Sequence, residues 1–428
     1  MLLLTHALAA LFDERSHEIG ETTGVWNGRN VHNQFGYSGR SLPGSSVGRT
    51  PDFESGRRWF DPNPGNMSQR SLKALVIATA SGAPMRSERP KPIHMLCGRP
   101  MLTHVLEVLG GAGVETAVVV TGPRGEWIAK RIMEEPPSLP VHFVEQQANR
   151  GGADAALVGL TGFEDFDDDG DILVLPADLP LLDLETVAGL VYEHRKHEAA
   201  CTVLSASVAG TEPWPRIDRD QRGAIIGLTH AGDAPPTDEL VEVGLGLYCI
   251  RGELLAPAAR RSAPAFGSGL HHLSTVPTVL ADSGHQVITA PLDADLFSIR
   301  PVDDRYGLAN AEAELRRRIN RGWLDRGVTM VDPDRTYIDV TVQLGVDVTL
   351  FPGTMLQGST VIGDGCEVGP DSRIDRSTVG RNSVIEKTMA RGATIGDNCR
   401  IGPFAVVEAG AHVHDGTVTG PFYAAPGS

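Results

Sequence analysis

Three charged side chains stand where chemistry could be done. Asp178 ends an apolar run, residues 171–175, that continues as Pro176-Ala177-Asp178. Asp303 follows a second apolar stretch, Leu296–Ile299, expected here as a strand. Lys91 closes a loop of small residues that opens with Ala80, Ser81 and Gly82 and ends in Pro90-Lys91. Two carboxylates are the usual protein share of a Mg2+ site, because that ion keeps waters and takes its other ligands from substrate phosphates. A small-residue loop between strand and helix lets backbone N–H groups approach phosphate oxygens, and a lysine adds a point charge. A second such turn, Gly151-Gly152, precedes another helical stretch. A metal and the phosphates of a nucleotide are the ligands this set would take. The plainer alternatives are an ordinary turn, with Gly82 its lone glycine, and an Asp178 that caps the next helix.

These residues need a scaffold that gathers strand ends. Residues 74–80, 115–120, Val141–Glu145 and 171–175 are apolar or β-branched runs of strand length. Residues 100–109, Gly125–Met133 and 153–160 carry helical spacing, and Asp183 is the expected N-cap of a helix after Asp178. Alternation of this kind predicts a mostly parallel sheet with helices on both faces, a Rossmann-like α/β domain over 67–327. Ligands of such sheets bind beyond the carboxyl ends of the strands, where the turn after Ala80, the Gly151-Gly152 turn and Asp178 fall.

The later part of the chain obeys a different period. Ile338, Leu344, Leu350, Leu356, Ile362, Val368 and Ile374 are six apart; the phase slips at Val379 and Ile385 and resumes at Ile395, Ile401, Val407 and Val413. Gly, Asp, Ser, Thr and Asn fill most positions between. A period of six fits neither a helix nor a two-period strand. It fits a coil of three short strands, each pointing one apolar residue inward, and predicts a left-handed parallel β-helix over 328–418 with a tail at 419–428.

The net charge of −16 and pI near 5.3 argue against nucleic acid or an anionic membrane as partner. Five cysteines with no CxxC pair argue against a disulfide framework or a zinc site and predict a reducing, cytoplasmic setting. No apolar run reaches the length of a membrane span. Residues 1–66 lack periodicity, and Trp59-Phe60-Asp61-Pro62 can be encoded by a string containing the T-arm signature of a tRNA gene. The expectation is that translation starts near Met67 and that 1–66 is a start-site error; the alternative is a disordered tail. The intact mass of the native protein separates the two.

Strand, loop ending Pro90-Lys91, Gln146 followed by Gly151, then Asp178, then hexad repeats: this order resembles the bifunctional N-acetylglucosamine-1-phosphate uridylyltransferase / glucosamine-1-phosphate acetyltransferase family. The resemblance runs from about 73 to 413 and is closest at the junction, Gly327 to Asp339 and Phe351 to Gly358. It implies a nucleotidyltransferase head, a linking helix near 304–327, a homotrimeric β-helix, and Mg2+, UTP (or another NTP) and a sugar 1-phosphate as ligands. It implies in-line attack of the sugar phosphate on the α-phosphorus, with loss of pyrophosphate. Carried over residue by residue, it places Lys91 on the phosphates and Gln146 on the base, with Ala80, Gly82, Gly151 and Gly152 at loop positions. The metal ligands fall at Asp178 and Asp303, the latter an asparagine in the family.

The match is poorer elsewhere. Met85 and Pro90 agree, but the loop's arginine is Pro84, which removes a cation and a backbone N–H. The sugar-binding positions fall at Pro215, His230 and Gly244, where the family has glycine, glutamate and asparagine. The acetyltransferase activity is not expected: its arginine position holds Glu408, and His412 and His414 read as solvent-facing residues of the last coil. Two functions follow. One is a sugar-1-phosphate nucleotidyltransferase, attenuated or altered in sugar choice. The other is a non-catalytic paralogue that binds nucleotide or serves as a scaffold.

Overall fold

The computed structural model describes residues 70–427, leaving aside 81–82, 84, 165–168, 211, 213, 231–236, 263 and 265–268. Gly82, Pro84 and all of 1–66 therefore lie outside the described residues. In the head, strands β1 (Leu72–Ala78), β2 (Thr116–Thr121), β3 (Val141–Glu145) and β4 (Asp171–Pro176) alternate with helices α1 (Met101–Gly111), α2 (Gly125–Met133), α3 (Gly152–Leu160) and α4 (Leu184–Lys196). Then come β5 (Cys201–Ala209), the hairpin β6 (Arg216–Arg219) and β7 (Ile225–Thr229), and the long β8 (Leu240–Arg251). Helices α5 (Gly252–Arg261) and α6 (Thr275–Asp282), strand β9 (Val287–Pro291) and helix α7 (Arg305–Leu324) complete it.

The main sheet runs β9-β5-β8-β4-β1-β2-β3. Only β8 opposes its neighbours along this path; the other pairings are parallel. Strands β1 and β4 lie at its centre with apolar cores on both sides, one containing Leu102, Leu106 and Leu190, the other Ala153, Ala156 and Val276. Burial on two faces is why these strands read as continuous apolar runs rather than alternating ones.

Two sequence expectations resolve here. Asp183 caps α4, its carboxylate accepting from the Thr186 N–H at 2.7 Å, so Asp178 is not the cap. Leu296–Ile299 is a 3-10 turn rather than a strand. The Asp295 side chain accepts from the Phe297 N–H and closes that turn, while β9 pairs with β5 at the sheet edge. A four-residue apolar run carries too little periodicity to separate the two.

The amino end of the sheet is held by charge. Asp171 is fully buried at the start of β4. Its carboxylate accepts from Arg195 Nε at 2.8 Å, with His194 Nε2 at 3.4 Å and Arg70 Nη1 at 3.7 Å. Burial alone would raise this carboxyl, but the His194 and Arg195 contacts outweigh it and hold it below the ordinary carboxylate range. A depressed folded pKa contributes stability above the unfolded value and loses it as pH falls through the folded one. Asp171→Asn is expected to cost about 1–3 kcal/mol near neutral pH, with the deficit vanishing in acid; urea titrations at several pH values check it.

Helix α7 connects head and stem. Asp304 caps it by accepting from the Gly307 N–H at 2.7 Å. Arg318 donates to the Leu181 carbonyl in the head, and Asn320 donates to the carbonyls of Pro333 and Thr336 in the stem. Ile319 and Trp323 enter the stem's core. The stem is a parallel β-helix with three faces, its rungs in register as in Leu344↔Ile362, Leu350↔Val368 and Leu356↔Ile374. Corners hold buried hydroxyls, such as Thr354 and Thr360, that donate to carbonyls of their own and the next coil. Residues 419–428 carry a further short strand, Ala424–Ala425, paired with Val406–Val407. Among the described residues no helix is long and apolar enough to cross a membrane.

Candidate active site

The carboxyl ends of β4 and β1 are neighbours in the sheet, and that of β3 lies one strand further on, beyond β2; polar groups collect along this edge. Lys91 sits at the start of a 3-10 turn, Lys91–Ile93, after Pro90. It is buried, and its Nζ lies 2.5 Å from Asp178 Oδ2 and 3.0 Å from Asp303 Oδ1. Asp178 follows β4 directly. Its backbone carbonyl accepts from the Val302 N–H at 2.9 Å, and this brings Asp303, the next residue, alongside it. The structure thus gathers Lys91, Asp178 and Asp303 from three distant parts of the chain.

The charges in this group do not balance. Burial lowers the Lys91 ammonium, but Asp178 and Asp303 more than offset it, so the group stands above the ordinary lysine value and stays charged. Burial also pushes Asp178 above the usual carboxylate range; Lys91 opposes the shift and Asp303 adds to it. One ammonium shared between two carboxylates leaves a net negative site. Asp178 Oδ1 is moreover buried without a hydrogen-bond partner. A divalent cation would satisfy both deficits. No group of three or more His, Cys, Asp or Glu suited to a metal occurs among the described residues. Asp178 and Asp303 are two carboxylates, the protein share that Mg2+ takes when phosphates complete its shell.

Beside it lies the second turn. Gln146 follows β3, its N–H donating to the Thr121 carbonyl, and its side chain is buried. The amide Nε2 donates to Asp154 Oδ2 at 2.7 Å and to the Gly151 carbonyl at 3.3 Å. Its Oε1 is buried without a partner. Gly151 adopts φ +98°, and a Cβ there would collide with the His271 backbone; only glycine fits. Its N–H donates to Asn149 Oδ1 at 3.1 Å. Gly152 opens α3, where a Cβ would press on Leu273. Ala80 is exposed just beyond β1. Asp154 and Asn149 were not singled out from sequence. Their one signal is position, Asn149 two residues before Gly151 and Asp154 in the first turn of α3.

The remaining predicted positions form a separate set. The Gly244 N–H donates to the Pro215 carbonyl at 2.9 Å, so these two meet through backbone only. His230, after β7, faces His272 with ring centroids 4.6 Å apart. The neighbouring His271 carbonyl accepts from the Ala153 N–H, which sets this segment against the Gly151 turn. In the stem, the rings of His412 and His414 meet edge-on at 5.1 Å, and both residues are exposed, as is Glu408. A cavity of about 750 Å³ lies elsewhere, between head and stem, lined in part by Cys97, Arg305, Glu312, Asp339 and Arg373. None of the predicted site residues lines it.

Comparison with known proteins agrees with this division of the chain. Residues 74–239 match the MobA-like NTP transferase domain, and residues 392–422 match the bacterial transferase hexapeptide repeats. The bifunctional protein GlmU of Halalkalibacterium halodurans is 30% identical over 82% of this chain and 75% of its own length. That of Mycolicibacterium vanbaalenii is 34% identical over 80% of this chain and 70% of its own. That of Streptomyces coelicolor is 33% identical over 80% and 71%. A nucleotidyltransferase head joined to a hexapeptide stem, with similarity of this extent, places the chain in the GlmU family.

Proposed function

We propose that the head transfers the nucleotidyl group of UTP to a sugar 1-phosphate, N-acetylglucosamine 1-phosphate being the first candidate, and releases pyrophosphate. A phosphate oxygen of the sugar phosphate attacks the α-phosphorus; the new P–O bond forms as the bond to the β-phosphate breaks, and the electron pair leaves with pyrophosphate. Catalysis of this kind is positioning and charge neutralisation. The convergence of Lys91, Asp178 and Asp303 carries the reading. Asp178 and Asp303 would hold Mg2+, which when bound supplies positive charge to the phosphates. Lys91 adds a fixed ammonium beside them. Gln146 and the Gly151-Gly152 turn would seat the base and its ribose side.

A second reading rests on the sugar side. Pro215 and Gly244 offer no polar side chain, and the His230 ring lies tilted against that of His272. A head built this way would bind nucleotide and turn over slowly or not at all. The experiment that decides is pyrophosphate release by the purified protein with Mg2+ across NTP and sugar-phosphate pairs. Release above an Asp178→Asn background, with one preferred pair, supports the enzyme and names its substrates. No release from any pair, with nucleotide still bound, favours the paralogue.

The stem is read as a homotrimerisation element. Met389, Val406, Phe404 and Phe422 are exposed, the two phenylalanines stacked at 5.4 Å. Light scattering that returned a monomer would count against it.

A further inference from the structure

The contact between Gln146 and Asp154 orients a buried amide in the head. Nε2 of Gln146 lies 2.7 Å from Asp154 Oδ2 and 3.3 Å from the Gly151 carbonyl. An ionised carboxylate and a backbone carbonyl only accept, so the NH2 end of the amide must face them. The other end, Oε1, is thereby fixed as an acceptor, and it is buried with no partner. Asp154 is itself held. It lies in the first turn of α3, whose start is pinned by the Ala153 N–H on the His271 carbonyl and the Ala155 N–H on the Gly151 carbonyl. Without Asp154, the shorter and charge-assisted of the two bonds that orient the amide is lost, and a half-turn about the last side-chain torsion would swap acceptor for donor.

We propose that Asp154 is a positioning residue that sets base preference: by locking the Gln146 amide it presents a single acceptor to the base and so selects a ring N–H. This rests on the nucleotide reading given above. Uracil and thymine carry a proton on N3. Cytosine carries a lone pair there and would set acceptor against acceptor. A site that leaves a buried polar group unpaired with the wrong ligand discriminates strongly against it. The bland role for Asp154 is an acid complementing the positive end of α3. It predicts that both nucleotides suffer alike when the charge is removed.

The test is calorimetric titration of the full chain with UTP and with CTP, each with Mg2+, in the wild type and in Asp154→Asn, Asp154→Leu and Asp154→Glu. Asn can receive or donate, so it permits both amide orientations; Glu restores an acceptor-only partner. The expected result is that the wild type prefers UTP. The preference should fall about tenfold in Asp154→Asn and Asp154→Leu, equivalent to about 1.4 kcal/mol, and recover in part in Asp154→Glu. An unchanged UTP:CTP ratio in a folded Asp154→Asn overturns the inference while leaving the nucleotide reading intact. So does a wild type that binds both nucleotides equally. A wild type that binds neither overturns the nucleotide reading itself.

Discussion

Asp178→Asn is expected to lower Mg2+-dependent pyrophosphate release by about a hundred- to a thousand-fold, the usual cost of removing a preorganised charge-stabilising group. The side chain does two things at once. It is the buried carboxylate of the pair with Asp303, and it anchors Lys91 through the 2.5 Å contact. The Asp303 side chain is 77% exposed, so it offers a weaker hold on metal and lysine when left alone. Asparagine preserves shape, and thermal unfolding should show a folded protein. Asp178→Ala would add the cost of stranding a buried ammonium, about 3–5 kcal/mol for a broken buried pair, and confuse the two effects. Mn2+ binding followed by electron paramagnetic resonance gives a readout independent of turnover, and it should weaken in the same variant. A folded Asp178→Asn that keeps its rate to within about threefold would count against Asp178 as a metal ligand.

Much of this geometry could be read from residue order, and the limits have physical causes. Strands β1, β2 and β4 were legible because parallel strands inside the sheet must be apolar throughout, whereas β3 stands at its edge, less buried. Asp178 stood near a strand end, where topology alone says ligands bind, and Lys91 closed the loop that follows β1. Asp303 was reached through a strand that does not exist. What places it is the hydrogen bond from Val302 to the Asp178 carbonyl, a contact between residues more than a hundred positions apart that no local pattern carries. Asp154 was missed for the opposite reason: an acid in a first helical turn has a sufficient local explanation, and only the unpaired Oε1 of Gln146 shows there is more to explain.

The stem shows the same division between period and packing. Its hexads were plain from Ile338 to Ile374, then lost phase. The structure pairs Ile374 with Ala390, not with a large residue eighteen positions on, as it does for Leu356 with Ile374. A shortened coil and a small inward side chain erased the signal together. Ala390 is buried in the stem core, so the coil continues where the apolar count does not. The buried hydroxyls of Thr354, Thr360 and Thr388 were read as turn filler. In the fold they satisfy carbonyls at the corners, as Thr388 Oγ1 does for Glu386 at 2.7 Å, which any buried turn must arrange.

The Gly151 turn permits a sharper experiment, since its effect should be confined to the head. Gly151→Ala is expected to weaken UTP binding by about ten- to a hundred-fold, with a lowered melting temperature, because strained backbone of this kind costs about 1–3 kcal/mol and each 1.4 kcal/mol is tenfold. Two penalties combine. At φ +98° an L side chain is strained whatever space surrounds it, and the added Cβ would stand 2.7 Å from the His271 nitrogen and 2.8 Å from its carbonyl carbon. These are backbone atoms, which cannot swing aside as a side chain would. Relief must come from moving the turn. The Gly151 carbonyl accepts from both Gln146 Nε2 and the Ala155 N–H, so any shift carries the Gln146 amide and the start of α3 with it. The stem has its own core, fed by Ile319 and Trp323 of α7 and not by α3. Oligomeric state should therefore survive while nucleotide affinity falls. Unchanged UTP affinity in Gly151→Ala would mean that the base is not seated at this turn. Loss of assembly along with affinity would mean that head and stem do not fold as separately as their cores imply.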